Sequence, residues 1–322
     1  MFDKLIRTLK ENKRTIVFTE GEDARIQEAA ARLIKGGFLG VLLVGDAAKI
    51  QAAAEKNGFD LNGARIVDPA TYEGMDEMVE AMVALRKGKM SAEECRAALM
   101  KSNYFGTMLV KMGQADCLLG GATYSTADTV RPALQLIKTK PGNSIVSSCF
   151  IMTRGEHEEE RLAMGDCAIN IHPTEDNLVE IAVETAKTAR AFGIEPKVAF
   201  LSFSTKGSAK DDTVTMVQNA VAKAKEAMPD TDVDGEMQFD AAVAPEVGQL
   251  KFPGSKVAGY ANTFIFPDVN AGNIGYKIAQ RLGGFNAYGP ILLGLNAPIN
   301  DLSRGCNAEE VYKMAIITAA LI

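Results

Sequence analysis

The sequence alternates short apolar runs with amphipathic helical stretches, and this alternation constrains the fold more than any other feature. The first run, TIVFT (15–19), is followed by a helical pattern that closes on paired glycines. Further runs at 40–45, 64–69 and 115–122 repeat the arrangement. Alternation of this kind predicts a parallel sheet with covering helices.

A stretch rich in turn formers, KTKPGNS (138–144), separates this series from a second one. The second series has the apolar runs SIVSSCFIM, KVAFLSF, NTFIFP and GPILLGL, with helical patterns between them. We therefore predict two doubly wound α/β domains. The first would comprise residues 1–143 and the C-terminal helix 304–322, and the second residues 144–303.

Composition and charge exclude several classes of protein. The 322 residues carry a net charge of −6, and the cationic residues form no basic stripe, which argues against a nucleic-acid partner. The N-terminus lacks the apolar core of a signal peptide, and the uncharged run Leu282–Asn300 is too rich in Gly, Pro and Asn for a membrane span. Five scattered cysteines without a C-x-x-C pair predict reduced thiols in a cytoplasmic protein.

Common cofactor and metal motifs are missing from the sequence. No G-x-G-x-x-G follows the first apolar run, and no phosphate-binding G-x-x-x-x-G-K-[ST] is present. The two histidines, His157 and His172, lie far apart in polar surroundings, which argues against a zinc site or a histidine-dependent triad. An enzyme with this sequence would use carboxylates as bases, and arginines, hydroxyls and backbone amides as electrophilic groups.

One candidate constellation is GGATYSTADTVRP (120–132). Paired glycines end a predicted strand, and hydroxyl residues then lead into a helix, where free amides favour an anion. Arg131 could add a fixed positive charge. Ser125 and Asp128 also have the spacing of a capping box, and the two interpretations are compatible.

A second constellation is NDLSRGCNAEE (300–310), between the run GPILLGL and the last helical pattern. Arg304 can hold phosphate oxygens in a bidentate fork, and the neighbouring Ser303 can donate to an oxyanion. Glu310 is either a general base or the capping partner of Asn307. Cys306 is either a nucleophile activated by the helix N-terminus or a small buried residue.

A third stretch, VALRKGKMSAEECRAAL (83–99), clusters three cations, Arg86, Lys87 and Lys89, beside a glycine. They could contact an anionic substrate or form a solvated helix end.

Four segments together resemble the phosphate acetyltransferase (phosphotransacetylase) family, and the resemblance covers nearly the whole chain. They are GGATYSTADTVRPALQLI, DGEMQFDAA, FPDVNAGNIGYKIAQRLGG and PINDLSRGC. The resemblance implies reversible acetyl transfer between acetyl phosphate and coenzyme A. It also implies a homodimer, no metal or cofactor, coenzyme A as a substrate, and an interdomain cleft in a fold similar to isocitrate and isopropylmalate dehydrogenases.

The resemblance also implies roles for individual residues. Ser303 matches the serine that steadies the acyl carbonyl oxygen, and Arg304 the arginine that grips the phosphoryl group. Glu310 falls where the family places a carboxylate, often Asp, that deprotonates the coenzyme A thiol. The predicted substrate-binding residues are Arg86, Ser125, Thr126, Arg131, Tyr288 and Cys306.

Several alternatives remain open at this stage. We expect direct transfer in a ternary complex, with a ping-pong route through acetylated Cys306 as the rival. Butyryl could replace acetyl as the transferred group. A nicotinamide-dependent dehydrogenase would need metal-binding aspartates and a cofactor loop, and neither is evident. A catalytically silent binding module is disfavoured by the Ser303–Arg304 pair.

Overall fold

The computed structural model describes residues 1–321, which form two compact units. The first unit contains Phe2–Pro141 and the chain from Leu295 onward, and the second contains Gly142–Gly294. The strands are β1 (Arg14–Phe18), β2 (Leu39–Val44), β3 (Arg65–Val67), β4 (Cys117–Gly120), β5 (Ser147–Arg154), β6 (Glu160–Gly165), β7 (Lys197–Leu201), β8 (Asp232–Met237), β9 (Thr263–Ile265), β10 (Asn286–Leu293) and β11 (Ile299–Asp301).

Helices cover both sheets. They are α1 (Phe2–Glu11), α2 (Ala24–Gly36), α3 (Ala47–Asn57), α4 (Met75–Arg86), α5 (Ala92–Leu99), α6 (Ser102–Lys111), α7 (Thr126–Pro132), α8 (Glu175–Ala191), α9 (Asp212–Ala227), α10 (Phe239–Val243), α11 (Pro245–Lys251), α12 (Val269–Arg281) and α13 (Ala308–Ala320). A π-helical turn, Ala133–Ile137, continues α7. Side-chain caps begin several of these helices: Asp23 accepts from the Arg25 amide at α2, and Asp46 accepts from the Lys49 amide at α3.

The first unit is built on a parallel sheet with the strand order β11-β4-β1-β2-β3. β1 is apolar and fully buried over Ile16–Phe18, as expected for a central strand covered on both faces. On one face, α4, α5 and α6 supply a methionine-rich core that includes Met78, Met82 and Met108. The predicted parallel α/β unit is confirmed.

The second unit has a mixed sheet with the order β10-β5-β6-β9-β7-β8. β6, β9, β7 and β8 are parallel, whereas β5 runs antiparallel to both β10 and β6. The predicted α/β class is confirmed, and the two antiparallel pairings of β5 depart from the parallel arrangement that the alternation predicts. β6 was missed because its first residues, Glu160 and Arg161, break the apolar pattern, and the His157 stretch is the turn of the β5–β6 hairpin.

The second domain boundary also differs from the prediction. The chain returns to the first unit at Leu295, whereas the predicted boundary put residues up to 303 in the second domain. The cause is β11, which pairs in parallel with β4 from Ile299↔Leu118 to Asp301↔Gly120. A strand of three residues that follows Pro298 and contains Asn300 gives no clear apolar run. Among residues 1–321, no helix has both the length and the apolar character to cross a bilayer.

Candidate active site

The strand order of the first unit marks where a ligand site should lie. From β1 the chain builds outward through β2 and β3, and it then crosses to the other side of β1 to form β4 and β11. In sheets of this type, ligands bind beyond the carboxyl ends of the strands at the point where the order reverses. That point lies between β1 and β4, where Glu20 follows one strand and Gly121 the other.

Glu20 joins the ends of these two strands through four hydrogen bonds. Its Oε1 accepts from the Thr123 amide at 2.7 Å and from Thr123 Oγ1 at 3.0 Å. Its Oε2 accepts from the Gly121 amide at 3.2 Å and from Thr19 Oγ1 at 3.1 Å. Burial raises the pKa of Glu20, and the hydrogen bonds from Thr123, Thr19 and Gly121 oppose that rise. The carboxyl group therefore shapes the loop after β4.

Asp301, the last residue of β11, is a second buried carboxylate at this edge of the sheet. Its side chain receives two hydroxyl groups of α7, from Thr126 Oγ1 at 2.6 Å and from Thr129 Oγ1 at 2.5 Å. Burial raises the pKa of Asp301 to about 6; the hydroxyls and the positive charge of Arg304 lower it, and the Glu20 carboxylate raises it. Asp301 thus ties α7 to the loop that carries Ser303 and Arg304.

Ser303 and Arg304 are exposed to solvent directly after β11. Ser303 Oγ accepts from the Gly305 amide at 3.3 Å, which leaves its own proton available to another acceptor. Within residues 1–321, the Arg304 guanidinium makes no hydrogen bond or ion pair to a protein group, although it lies close enough to Asp301 to lower that group's pKa. The pair is therefore presented to solvent rather than sealed in the core.

Arg25, which the sequence reading missed, holds this edge together. Its Nη1 donates to the carbonyl oxygens of Arg304 at 2.8 Å and Cys306 at 3.1 Å, and its Nη2 donates to the Ala122 carbonyl at 2.9 Å. An ion pair with Asp23 at 2.7 Å fixes the guanidinium. A sequence signal existed: Arg25 lies in the first turn of α2, where the helix dipole disfavours a cation.

Cys306 is buried, and its thiol receives a long contact of 3.7 Å from Arg25 Nη1. Burial raises the pKa of Cys306 to about 11, Arg25 lowers it, and the nearby carboxylates of Glu310, Asp23 and Glu20 raise it. Activation by the helix N-terminus, one of the two interpretations of Cys306, is opposed by burial and by the nearby negative charge. The alternative, a small buried residue, is the one observed.

The predicted capping box at α13 is confirmed. The Glu310 amide donates to Asn307 Oδ1 at 2.9 Å, and Glu310 Oε2 accepts from the Asn307 amide at 3.2 Å. Glu310 is partly exposed, and only Oε2 takes part in the box. A second role for its carboxylate is compatible with this geometry.

The hydroxyls predicted near the phosphate are engaged by carboxylates. Ser125 Oγ donates to Asp128 Oδ2 at 2.7 Å, so this predicted capping pair forms at α7, and Thr126 donates to Asp301. The hydrogen bond from Ser125 lowers the pKa of Asp128. Both hydroxyls therefore order the start of α7, and their contact with a substrate remains a prediction.

Arg86 and Arg131 each lie near Tyr104. Burial raises the pKa of Tyr104, and the positive charges of Arg131 and Arg86 oppose that rise. A cavity of about 330 Å³ in the first unit is lined by Tyr104, by the cations Lys101 and Arg131, and by the acids Glu94 and Asp128. α7 connects this cavity to the Ser303–Arg304 loop, because Thr126 contacts Asp301 while Arg131 lines the cavity.

Tyr288 belongs to the second unit and is not brought together with these residues by either unit's own fold. It lies buried in β10, and its hydroxyl donates to Glu158 Oε1 at 2.5 Å. Its predicted place near the phosphate remains a prediction. Throughout the described chain, no group of three or more His, Cys, Asp or Glu residues is arranged to hold a metal ion.

The described geometry thus brings an exposed Ser-Arg pair to the carboxyl end of β11, beside two loops that are ordered by buried or partly buried charges. Residues 1–319 match the family model described as phosphate acetyl/butaryl transferase, and the chain belongs to that family of acyltransferases.

Similar proteins agree with this assignment. The phosphate acetyltransferase of Bacillus subtilis (strain 168) is 57% identical over 305 residues, which cover 95% of this chain and 94% of that protein. The crystal structure of a phosphotransacetylase from Streptococcus pyogenes is 53% identical, with a TM-score of 0.96 over 99% of this chain and 97% of that one. A Salmonella typhimurium structure described as a 4-hydroxythreonine-4-phosphate dehydrogenase is 12% identical, with a TM-score of 0.55 over 97% and 100% of the two chains. That last likeness concerns the fold alone and agrees with the predicted dehydrogenase-like architecture.

Proposed function

We propose that this acyltransferase moves an acetyl group reversibly between acetyl phosphate and coenzyme A. The observation that carries the proposal is the exposed Arg304, whose guanidinium has no hydrogen-bonded or ion-paired partner in the described chain and follows a buried carboxylate. An exposed guanidinium with no protein partner can offer two N–H groups at once to a phosphate. The names of the similar proteins specify the acyl group and the phosphate.

In the proposed reaction, the thiolate of coenzyme A attacks the carbonyl carbon of acetyl phosphate. A carbon–sulfur bond forms, the carbon–oxygen bond to phosphate breaks, and phosphate leaves with the electron pair. Arg304 balances the charge on the phosphoryl group. Ser303 donates its free proton to the carbonyl oxygen as negative charge develops there.

Glu310 takes the thiol proton in this proposal, through the oxygen that the capping box does not use. Arg131, which lines the cavity, and Arg86 hold phosphate groups of coenzyme A. Ser125, Thr126 and Tyr288 act near the transferred phosphate.

Direct transfer within a ternary complex is the proposed route. With a pKa of about 11, roughly one Cys306 side chain in ten thousand is a thiolate at neutral pH, which makes acetylated Cys306 a poor intermediate. We also propose a homodimer in the cytoplasm. Ile274, Ile278 and Leu282 support the dimer, because they form an exposed apolar stripe at four-residue spacing along α12 and its C-cap.

A direct assay tests the proposed activity. Purified protein is mixed with acetyl phosphate and coenzyme A, and loss of free thiol is followed alongside formation of the thioester. We expect Arg304→Ala to lower kcat/KM by about a hundredfold, because the phosphoryl charge loses its partner. Arg7→Ala, which removes an exposed arginine of α1, is the matched control and should retain full activity.

The same assay decides between alternatives. Equal or faster turnover of butyryl phosphate would reassign the acyl group. Absence of thioester with either substrate would refute the proposed function. Loss of all turnover in Cys306→Ala, with both substrates still bound, would replace direct transfer by the ping-pong route.

A further inference from the structure

We propose that Asp301 is a positioning residue of the transfer site, whose buried carboxylate fixes the start of α7 and opposes the guanidinium of Arg304. The inference rests on the proposed function and extends it to a residue that neither motif spacing nor family resemblance had singled out. It depends on three independent features of the structure, which are its hydrogen bonds, the backbone around it and the charges that face it.

The hydrogen bonds show that the carboxylate is committed to α7. Asp301 is only 2% exposed, and each oxygen receives one hydroxyl, from Thr126 on Oδ2 and Thr129 on Oδ1. A buried charge is costly unless it is paired and hydrogen-bonded. Two short hydroxyl contacts provide that compensation and fix the carboxylate in a single orientation, and the positive charge of Arg304 adds to it.

The backbone opposite Asp301 makes room for the carboxylate. At Gly121, φ is +98°, and an added Cβ atom would lie 2.2 Å from Asp301 Oδ1 and 3.0 Å from the Leu302 amide nitrogen. The Leu302 amide also donates to the Gly120 carbonyl at 2.7 Å. The loop after β4 and the loop after β11 therefore meet closely at this carboxylate, two residues before Ser303.

Charged and titratable groups face Asp301 from three directions. Glu20 approaches from the end of β1, Tyr124 from the loop after β4, and Arg304 from its own loop. α7 presents the Thr126 and Thr129 hydroxyls. Arg304 is the cation whose charge lowers the pKa of Asp301, so the ionised carboxylate attracts that side chain from below the loop.

The burial of Asp301 distinguishes its positioning role from the direct roles proposed for Ser303 and Arg304. Asp301 lies beneath the loop and is almost fully buried, whereas Ser303 and Arg304 are exposed. When Asp301 is protonated, it gives up one acceptor position and its attraction for Arg304. The transfer rate should therefore rise with pH as Asp301 ionises, with an acid limb near pH 6.

The test compares kcat and KM against pH for the wild type and for Asp301→Asn. We expect the variant to lose about tenfold to a hundredfold in kcat at neutral pH and to lose the acid limb. Thr129→Val should shift the limb to higher pH, because it removes a donor that favours the ionised form, and Thr129→Ser should restore it. Asp116→Asn is the control, since Asp116 accepts from the Thr15 amide at the opposite end of the same sheet.

The outcomes are distinguishable from those of the proposed function. An inactive wild type refutes the proposed function itself. An active wild type whose acid limb and kcat persist in Asp301→Asn overturns the positioning role alone. Thermal unfolding of each variant identifies loss of fold, and Thr129→Val keeps the proposal testable if Asp301→Asn fails to fold.

Discussion

At the scale of single residues, the loops around Ser303 and Arg304 are ordered by charged groups that are buried or partly buried. Glu20 and Asp301 order the loops after β4 and β11, and Arg25 binds the same two loops through backbone carbonyls. Each of these side chains contacts partners about a hundred or more residues away in the sequence. Their contribution is to reduce the freedom of Ser303 and Arg304, which lowers the entropic cost of the reactive geometry.

Gly121 gives the sharpest prediction at this scale. We expect Gly121→Ala to reduce activity by about a hundredfold or more, because the new Cβ would collide with Asp301 Oδ1 and occupy a strained backbone conformation. Steady-state kinetics and thermal unfolding measure the result. Gly142→Ala is the control, since φ there is also positive (+90°) but an added Cβ meets nothing within 4 Å. Equal activity losses in both variants would contradict the role of the carboxylate.

Local sequence predicted much of this site, and its limits have a physical cause. The Asn307–Glu310 and Ser125–Asp128 pairs depend on residues three apart, so spacing was sufficient to find them. Asp301 lies within the candidate stretch 300–310, but its partners Thr126 and Thr129 become known only from the pairing of β11 with β4. Spacing alone left two interpretations of Cys306 open, because it does not report burial, and burial has the largest effect on the pKa of this thiol.

At the scale of secondary structure, α13 starts directly after the Ser303–Arg304 loop. Its first turn is closed by the Asn307–Glu310 box, and Arg25 holds the Cys306 carbonyl just before it. Glu310 therefore has a structural role that is established by geometry and a proposed chemical role. A substitution that keeps the capping hydrogen bond but removes the basic carboxylate can separate the structural role from the chemical role.

Glu310→Gln and Glu310→Ala make that separation. A glutamine can still accept from the Asn307 amide, so we expect it to retain stability while it lowers kcat by about a hundredfold through loss of the base. Alanine should lower kcat similarly and also destabilise α13 by about 1 kcal/mol. Kinetics and chemical unfolding of both variants measure these effects. Full activity in Glu310→Gln would leave this residue with its capping role alone.

At the scale of the whole molecule, the chain passes from the first unit to the second after Pro141 and returns at Leu295. The turn formers around the first crossing made it predictable from sequence. The predicted boundary for the return to the first unit, after residue 303, lies too far along the chain. The apolar run GPILLGL continues through the true boundary at Leu295, and the short β11 follows it. The Ser303–Arg304 loop therefore belongs to the first unit, which both ends of the chain form.

Buried carboxylates also predict how stability depends on pH. The folded-state pKa of Asp301 is about 6 against an ordinary value of 3.8, so the folded state binds this proton more tightly than the unfolded state. Its contribution to stability is fully present below about pH 4 and is lost as pH rises through about 6. The difference of about 2 pH units corresponds to about 3 kcal/mol.

The prediction is therefore tested by comparing the wild type with Asp301→Asn across that range. The chain has no tryptophan, so urea unfolding is best followed by far-UV circular dichroism. From about pH 4.5 to about pH 7, the unfolding free energy of the wild type should fall relative to that of the variant by roughly 2 kcal/mol. Groups with lowered pKa, such as Asp23 and Asp128, oppose this trend in both proteins and cancel in the difference. A constant difference across the range would mean that Asp301 stays ionised throughout, and the acid limb assigned to it would then need another source.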